Sequence, residues 1–493
     1  MINHDIKKKM TRRRFIGLVA AGATVTTLSG CTPTAPSPPG DKRTSIGGPN
    51  FIIIFSDDLG YGDLGCFGST VHRTPNLDEM AAEGMKFTSF YVTSGVCTPS
   101  RASLMTGCYP KRVNMHEDSH GKCVLFPVDS KGLNPNEITI AEILKQRGYA
   151  TCCIGKWHLG DQPDFLPTRQ GFDYYFGIPY SNDMGKEQRP ENPLLPLLRN
   201  EEVIEAPAVQ DTLTKRYTEE AIEFIRKNKD RHFFLYLPHT MVHNPLNPGE
   251  EFRGKSANGR YGDAVEEIDS SSGRILKTLK ELNLDNRTLV VFTSDNGASD
   301  RYGGSNSPLR GHKGTTWEGG MREPAIIRWP GRIPAGKTCD EITITMDLLP
   351  TFAHLAGAQL PADRTIDGKN IWPLMAGRAN AKSPHEAFYY YQIDQLQAVR
   401  SGKWKLHLAL RPKKRHWGKP IPEAPLALYD LENDVAEKNN VAEHHPDVVK
   451  HLLALAEKAR RDLGDADRED ADLRPAGWAE NPKPLTMASK NNE

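Results

Sequence analysis

Three runs of this chain are apolar at every position: Phe51-Ile52-Ile53-Ile54-Phe55, Phe233 to Leu237, and Leu289-Val290-Val291-Phe292. A strand with one solvated face alternates apolar and polar residues, so runs without alternation predict strands buried on both faces. Such strands need helices above and below them. Between the last two runs, Ala264, Val265, Ile268, Ile275, Leu276, Leu279 and Leu282 recur at the spacing of one helical face. Strand, helix, strand in that order is the grammar of a parallel sheet and sets the fold class as α/β. In such sheets the chemistry gathers beyond the carboxyl ends of the strands. Asp57-Asp58 and Asp295-Asn296 follow two of the runs, which predicts that they share one site.

The 493 residues carry 63 Lys+Arg against 62 Asp+Glu, a balance that argues against a nucleic-acid partner. Eight cysteines without a CxxC pair or a zinc-type Cys/His spacing argue against a disulfide scaffold and a structural zinc. Residues 1–31 read as a signal peptide: a basic start, then an apolar run from Ile16 to Leu28 too short to span a bilayer. Arg12-Arg13-Arg14-Phe15 resembles a twin-arginine export signal, and Leu28-Ser29-Gly30-Cys31 resembles a bacterial lipobox. Together they imply passage through the twin-arginine machinery and a periplasmic or surface lipoprotein held to the membrane through lipidated Cys31. Residues 32–48 are expected to be a flexible tether, and 49–384 the main α/β domain. From 385 the texture changes to short strands near Phe388-Tyr391, Gln397-Arg400, Trp404-Leu408 and Leu428-Leu431, then a helix from Pro446 to Leu463. This predicts a small antiparallel subdomain over 385–480, with a disordered tail over 481–493.

Cys97-Thr98-Pro99-Ser100-Arg101 is the most informative stretch. Pro99 suits the first turn of a helix and Thr98 its cap, which places Cys97 at an electropositive end with Arg101 close by. A plain buried cysteine ahead of a helix also fits the pentapeptide. Asp57, Asp58, Asp295 and Asn296 offer only oxygen ligands, which suit a hard divalent cation better than zinc.

Cys97-Thr98-Pro99-Ser100-Arg101 continuing to Leu104-Met105-Thr106-Gly107 resembles the signature of the type I, formylglycine-dependent sulfatases. Gly155-Lys156-Trp157-His158-Leu159-Gly160 resembles the second signature of that family. Asp57 to Gly62, Ser294 to Gly297 and His312 to Pro324 are similar to further family blocks, and Gly177 to Asp183 resembles its arylsulfatase A and N-acetylgalactosamine-6-sulfatase branch. The resemblance implies an alkaline-phosphatase-like large mixed sheet flanked by helices, with a smaller C-terminal antiparallel-sheet subdomain. It implies hydrolysis of sulfate monoesters on a sulfated glycan or an aryl sulfate, with a phosphonate or phosphate monoester hydrolase and a non-catalytic glycan-binding lipoprotein as the competing readings.

By the same resemblance, a formylglycine-generating enzyme converts Cys97. A calcium ion, with magnesium second, is held by Asp57, Asp58, residue 97, Asp295 and Asn296. The hydrated aldehyde attacks sulfur, and His158 takes the proton from its second hydroxyl so that sulfate is eliminated. Arg101 holds the hydrate and the metal ligands, and Lys156 and Lys313 neutralise sulfate oxygens. His243, alone or with Lys313, meets the leaving-group oxygen, and His239 is the alternative to it. Asn182 and Asp183 either face the substrate or belong to a plain loop. Cys66, Cys108, Cys123, Cys152, Cys153 and Cys339 remain free to pair in an oxidising compartment.

Overall fold

In the computed structural model the first apolar run becomes the strand Asn50–Ser56, buried at every residue. Residues 48–410, 415–416, 419–420, 423–468 and 472–487 are described. The expected signal peptide, Cys31 and all but Gly48 of the expected tether lie outside the described residues. Asn50–Ser56 pairs in parallel with Phe233–Pro238 on one side and Thr288–Ser294 on the other. Its alternate residues enter different cores. Phe51, Ile53 and Phe55 pack with Phe352 and Leu144 of the helices Leu348–Ala356 and Ile140–Lys145. Ile52 and Ile54 pack with Tyr217 and Ile268 of Leu213–Lys227 and Gly259–Glu281. At about 1.5–3 kcal/mol for each such side chain, burial on both faces is why the run carries no polar residue.

Among the described residues the main sheet has eleven strands and is mixed. Ala150–Ile154 and Tyr174–Gly177 extend it in parallel beyond Phe233–Pro238. Arg322–Arg328 joins Thr288–Ser294 antiparallel and is followed by Met85–Tyr91. A second, four-stranded antiparallel sheet runs Phe388–Gln392, Gln395–Ser401, Trp404–His407, Ala427–Asp430. The helix Pro446–Leu463 covers it through Leu452, Leu455 and Ala459. Tyr91 and Met321 of the main sheet region share that core, so the two sheets are joined by packing as well as by chain.

Cys66, Cys97, Cys108, Cys123, Cys152, Cys153 and Cys339 are all free thiols. Neighbours Cys152 and Cys153 sit on one strand, and its period of two sends them into opposite cores. Of the expected tail, Lys483 is pinned by its backbone, its N–H donating to Gln162 Oε1 at 2.8 Å. Residues 488–493 lie outside the described residues.

Candidate active site

Parallel strands finish on one edge, and the site is assembled from the residues just beyond their carboxyl ends. The register Ser56 to Ser294 sets Asp57 beside Asp295. Lys156 and His158 come after Ala150–Ile154, Ser181 after Tyr174–Gly177, and His243 after Phe233–Pro238. Asp58 and His158 both adopt left-handed backbone, φ 61° and 62°, which costs a non-glycine residue about 1–3 kcal/mol. Tertiary hydrogen bonds hold them there: Asp58 N–H donates to Asp295 Oδ1 at 3.2 Å, and His158 N–H to Pro179 O at 3.0 Å. Gly155 has no substitute at its place, since a Cβ there would stand 1.8 Å from Pro238 O.

Cys97 stands at the start of a helix, as expected, but the helix Cys97–Thr106 begins at Cys97 itself, ahead of the expected start, and Thr98 does not cap it. The N-cap is Val96, without a side-chain bond. The Thr98 hydroxyl instead donates to His158 O at 3.1 Å and accepts from Leu125 N–H at 3.2 Å. Two tertiary bonds outweigh one local cap, and they tie the Cys97 helix to the His158 turn.

The Cys97 thiol lies 3.7 Å from Asp57 Oδ1 and 3.7 Å from Lys313 Nζ. Lys313 Nζ donates to Asp58 Oδ2 at 2.8 Å, and Lys156 Nζ to Asp57 Oδ2 at 2.5 Å and Ser181 Oγ at 3.2 Å. Arg101, wholly buried, gives Asp295 Oδ2 two bonds, from Nε at 3.0 Å and Nη2 at 2.8 Å, and a third to Lys156 O at 2.8 Å. Burial works to raise the Asp57 carboxyl, yet Lys156, His243 and Arg101 outweigh it and hold the group below its ordinary value. At Asp295 burial and the Asp57 charge prevail over Arg101, and its carboxyl is raised. Burial also pushes the Cys97 thiol far up, against the pull of Lys156 and Lys313, so a free thiolate is disfavoured here.

Asp57, Asp58, Cys97 and His243 each present a possible ligand atom within 4.8 Å of one another. Asn296 adds an amide whose Nδ2 donates to Asp58 Oδ1 at 2.7 Å while its Oδ1 is buried without a protein partner. A buried acceptor left unpaired on an amide that touches Asp58 is the donor chemistry that a hard cation satisfies.

His158 Nε2 lies 3.0 Å from Leu125 O. A carbonyl only accepts, so Nε2 carries the hydrogen and Nδ1, buried and without a protein partner, is left as a base. Burial, reinforced by the Lys156 charge, pushes this imidazole well below its usual range and keeps it neutral. The two candidate histidines of the 239–243 segment part company. His243 Nε2 stands 3.7 Å from Asp58 Oδ2. His239 turns to Ser271 Oγ at 3.3 Å, and burial alone drives it down to about 3. Asn182 is buried and bonds Gln210 and Pro245 O, whereas Asp183 pairs with Arg189 at 2.9 Å. Ser181 and the Leu125 carbonyl were not singled out by the sequence. Ser181 sits inside a motif with no side-chain signal of its own, and a backbone carbonyl leaves no signal at all.

Residues 49–358 match the Sulfatase family, and residues 312–462 match the family described as N-sulphoglucosamine sulphohydrolase, C-terminal. Arylsulfatase A of Homo sapiens is 40% identical over 448 residues, covering 83% of this chain and 87% of that protein. N-acetylgalactosamine-6-sulfatase of Canis lupus familiaris is 43% identical over 376 residues, covering 73% of this chain and 71% of that one. A solved structure tied to the metabolism of multiple glycosaminoglycans by Bacteroides thetaiotaomicron has a TM-score of 0.74 at 29% identity, covering 84% of this chain and 99% of that one. The fold shared with these relatives is the alkaline-phosphatase-like one. With strand-end carboxylates, a helix-leading cysteine and this degree of likeness, the chain belongs to the sulfatase family, the sulfuric ester hydrolases.

Proposed function

We propose that this protein releases inorganic sulfate from sulfate monoesters of carbohydrate, using a formylglycine made from Cys97. The observation that carries the reading is the placement of Cys97 Sγ between Asp57 Oδ1 and Lys313 Nζ, 3.7 Å from each. A side chain there faces both carboxylates able to hold a cation and an ammonium able to hold an anion. Asp57, Asp58, Asp295 and Asn296 would hold the cation, calcium in this reading, which supplies charge to stabilise oxygens during transfer. A hydrated aldehyde at 97 supplies two hydroxyls where a thiol supplies none. Lys156 and Lys313 offset the charge of the sulfate oxygens. Arg101 keeps Asp295 in place, His158 Nδ1 accepts a proton, and His243 Nε2 serves the leaving-group side. The kinship to N-acetylgalactosamine-6-sulfatase and to the Bacteroides protein supports a sulfated glycan over a small aryl sulfate as the natural ester.

The test is mass spectrometry of the Cys97 tryptic peptide, joined to rates on an aryl sulfate and an aryl phosphate. The expected result is a loss of about 18 Da, the change from thiol to aldehyde, with the sulfate hydrolysed faster. An active enzyme with unmodified Cys97, or one preferring the phosphate, overturns the proposal.

Cation removal gives a second expected result. Stripping with a chelator uncovers the mutual repulsion of Asp57, Asp58 and Asp295, so Tm falls along with activity, and calcium restores both better than magnesium. A ligand at a hundredfold excess over its Kd adds about 2.7 kcal/mol to the folded state. A Tm indifferent to chelation and calcium addition would rule out a cation at these residues. For location, we propose twin-arginine export and anchoring through acylated Cys31; a Cys31→Ser protein that stays membrane-bound would contradict it.

A further inference from the structure

Lys313 lies on a loop held at two points by the segments that follow strands Thr288–Ser294 and Met85–Tyr91, Lys313 N–H to Ala298 O at 3.0 Å and Gly314 N–H to Gly95 O at 2.7 Å. The flanking residues are gripped from elsewhere. Lys405, on Trp404–His407 and wholly buried, donates to Thr316 O at 2.9 Å and Glu318 Oε1 at 2.9 Å, and its Nζ lies 3.0 Å from Glu437 Oε1. An ammonium has three hydrogens, and these acceptors use all three. Glu437 is wholly buried too. Its Oε2 accepts from Glu318 N–H at 2.8 Å, its Oε1 meets His407 Nε2 at 2.8 Å, and its carbonyl accepts from Arg310 Nη1 at 2.7 Å. Thr316 Oγ1 donates to Gln397 Oε1 at 2.8 Å. Trp317 is layered between the Arg310 guanidinium at 3.6 Å and the His407 ring at 4.1 Å. The span from Arg310 to Glu318 is thus clamped at both ends by the C-terminal sheet and Glu437, and Lys313 stands in the middle of it.

A buried ion network adds little stability over an apolar core of the same volume, so stability alone does not account for three wholly buried charges at one junction. We infer that Lys405 and Glu437 are positioning residues for sulfate ester hydrolysis, fixing the 310–318 span so that the Lys313 ammonium stands over Asp58 and residue 97. This rests on the reading that Lys313 meets the sulfate. A slip of the loop by about 1 Å takes Nζ out of hydrogen-bond range, a displacement that costs roughly 100-fold in rate.

The experiment is a double-mutant cycle on the full, cation-loaded enzyme, with kcat on an aryl sulfate normalised to the converted Cys97 peptide. Lys405→Met is expected to lower kcat roughly 10- to 100-fold beside Lys313, and less than about twofold in the Lys313→Ala background, because its effect passes through Lys313. Equal losses in both backgrounds, or no loss in either, overturn the inference. Full activity in Lys313→Ala alone removes the reading of Lys313 itself, and the inference with it, by a separate measurement. Should Lys405→Met fail to fold, Glu437→Gln enters the same cycle, keeping the shape and removing one charge, with the same outcomes.

Discussion

Cys97→Ala lowers the turnover of an aryl sulfate by at least about 10⁴-fold, the scale on which removing a covalent nucleophile acts, and leaves the fold in place. Among the described residues its polar contacts are two weak ones, both at 3.7 Å, so its deletion breaks no strong bond. Truncating one buried sulfur leaves a small void worth about 1 kcal/mol. Its neighbours stay paired without it: Asp57 keeps Lys156, Asp58 keeps Lys313, and Asp295 keeps Arg101. Thermal melting beside steady-state rates separates the two effects. Activity within tenfold of the parent, in protein melting at the parent's temperature, would mean that residue 97 does not carry the attacking group.

The parts of this architecture legible in the sequence are those fixed by local rules. Runs such as Phe51 to Phe55 announce two-sided burial, and once the strands are parallel their carboxyl ends must share an edge. That places Asp57-Asp58 and Asp295-Asn296 together before any distance is known. The strands of the C-terminal sheet were legible from short runs rich in aromatic and aliphatic residues, which are likewise local.

What the sequence hid depends on tertiary competition. Thr98 carries the local chemistry of a cap, but His158 O and Leu125 N–H take its hydroxyl. His239 and His243 are equivalent as isolated imidazoles; the helix Gly259–Glu281 decides between them by offering Ser271 to the first. Hydropathy assigns Glu318, Lys405 and Glu437 to the surface, whereas the structure buries all three completely because each completes the others' hydrogen bonds. No pattern in one segment encodes a network divided among three.

Arg101→Met is expected to cost a large part of the stability of the site. The side chain keeps most of its length and the apolar packing of its stem, but loses the guanidinium that stands over the Phe55 ring at 5.5 Å. What disappears is the guanidinium that gives Asp295 two bonds and the Lys156 carbonyl one. Breaking one half of a buried ion pair costs about 3–5 kcal/mol, because the surviving charge stays in the interior. Asp295 already lies against Asp57, which raises its carboxyl further, so the variant has two ways to relax: protonate Asp295 or gather a cation more strongly. The deficit in Tm is therefore expected to be greatest in chelator and smallest with saturating calcium, while Arg101→Lys, which keeps the charge but not the fork, falls between the parent and Met. The measurement is Tm for the three proteins with and without calcium. A deficit that is the same in both conditions would show that Arg101 and the cation do not share the charge of Asp295, and the oxygen cluster would then have to hold its ion without that carboxylate.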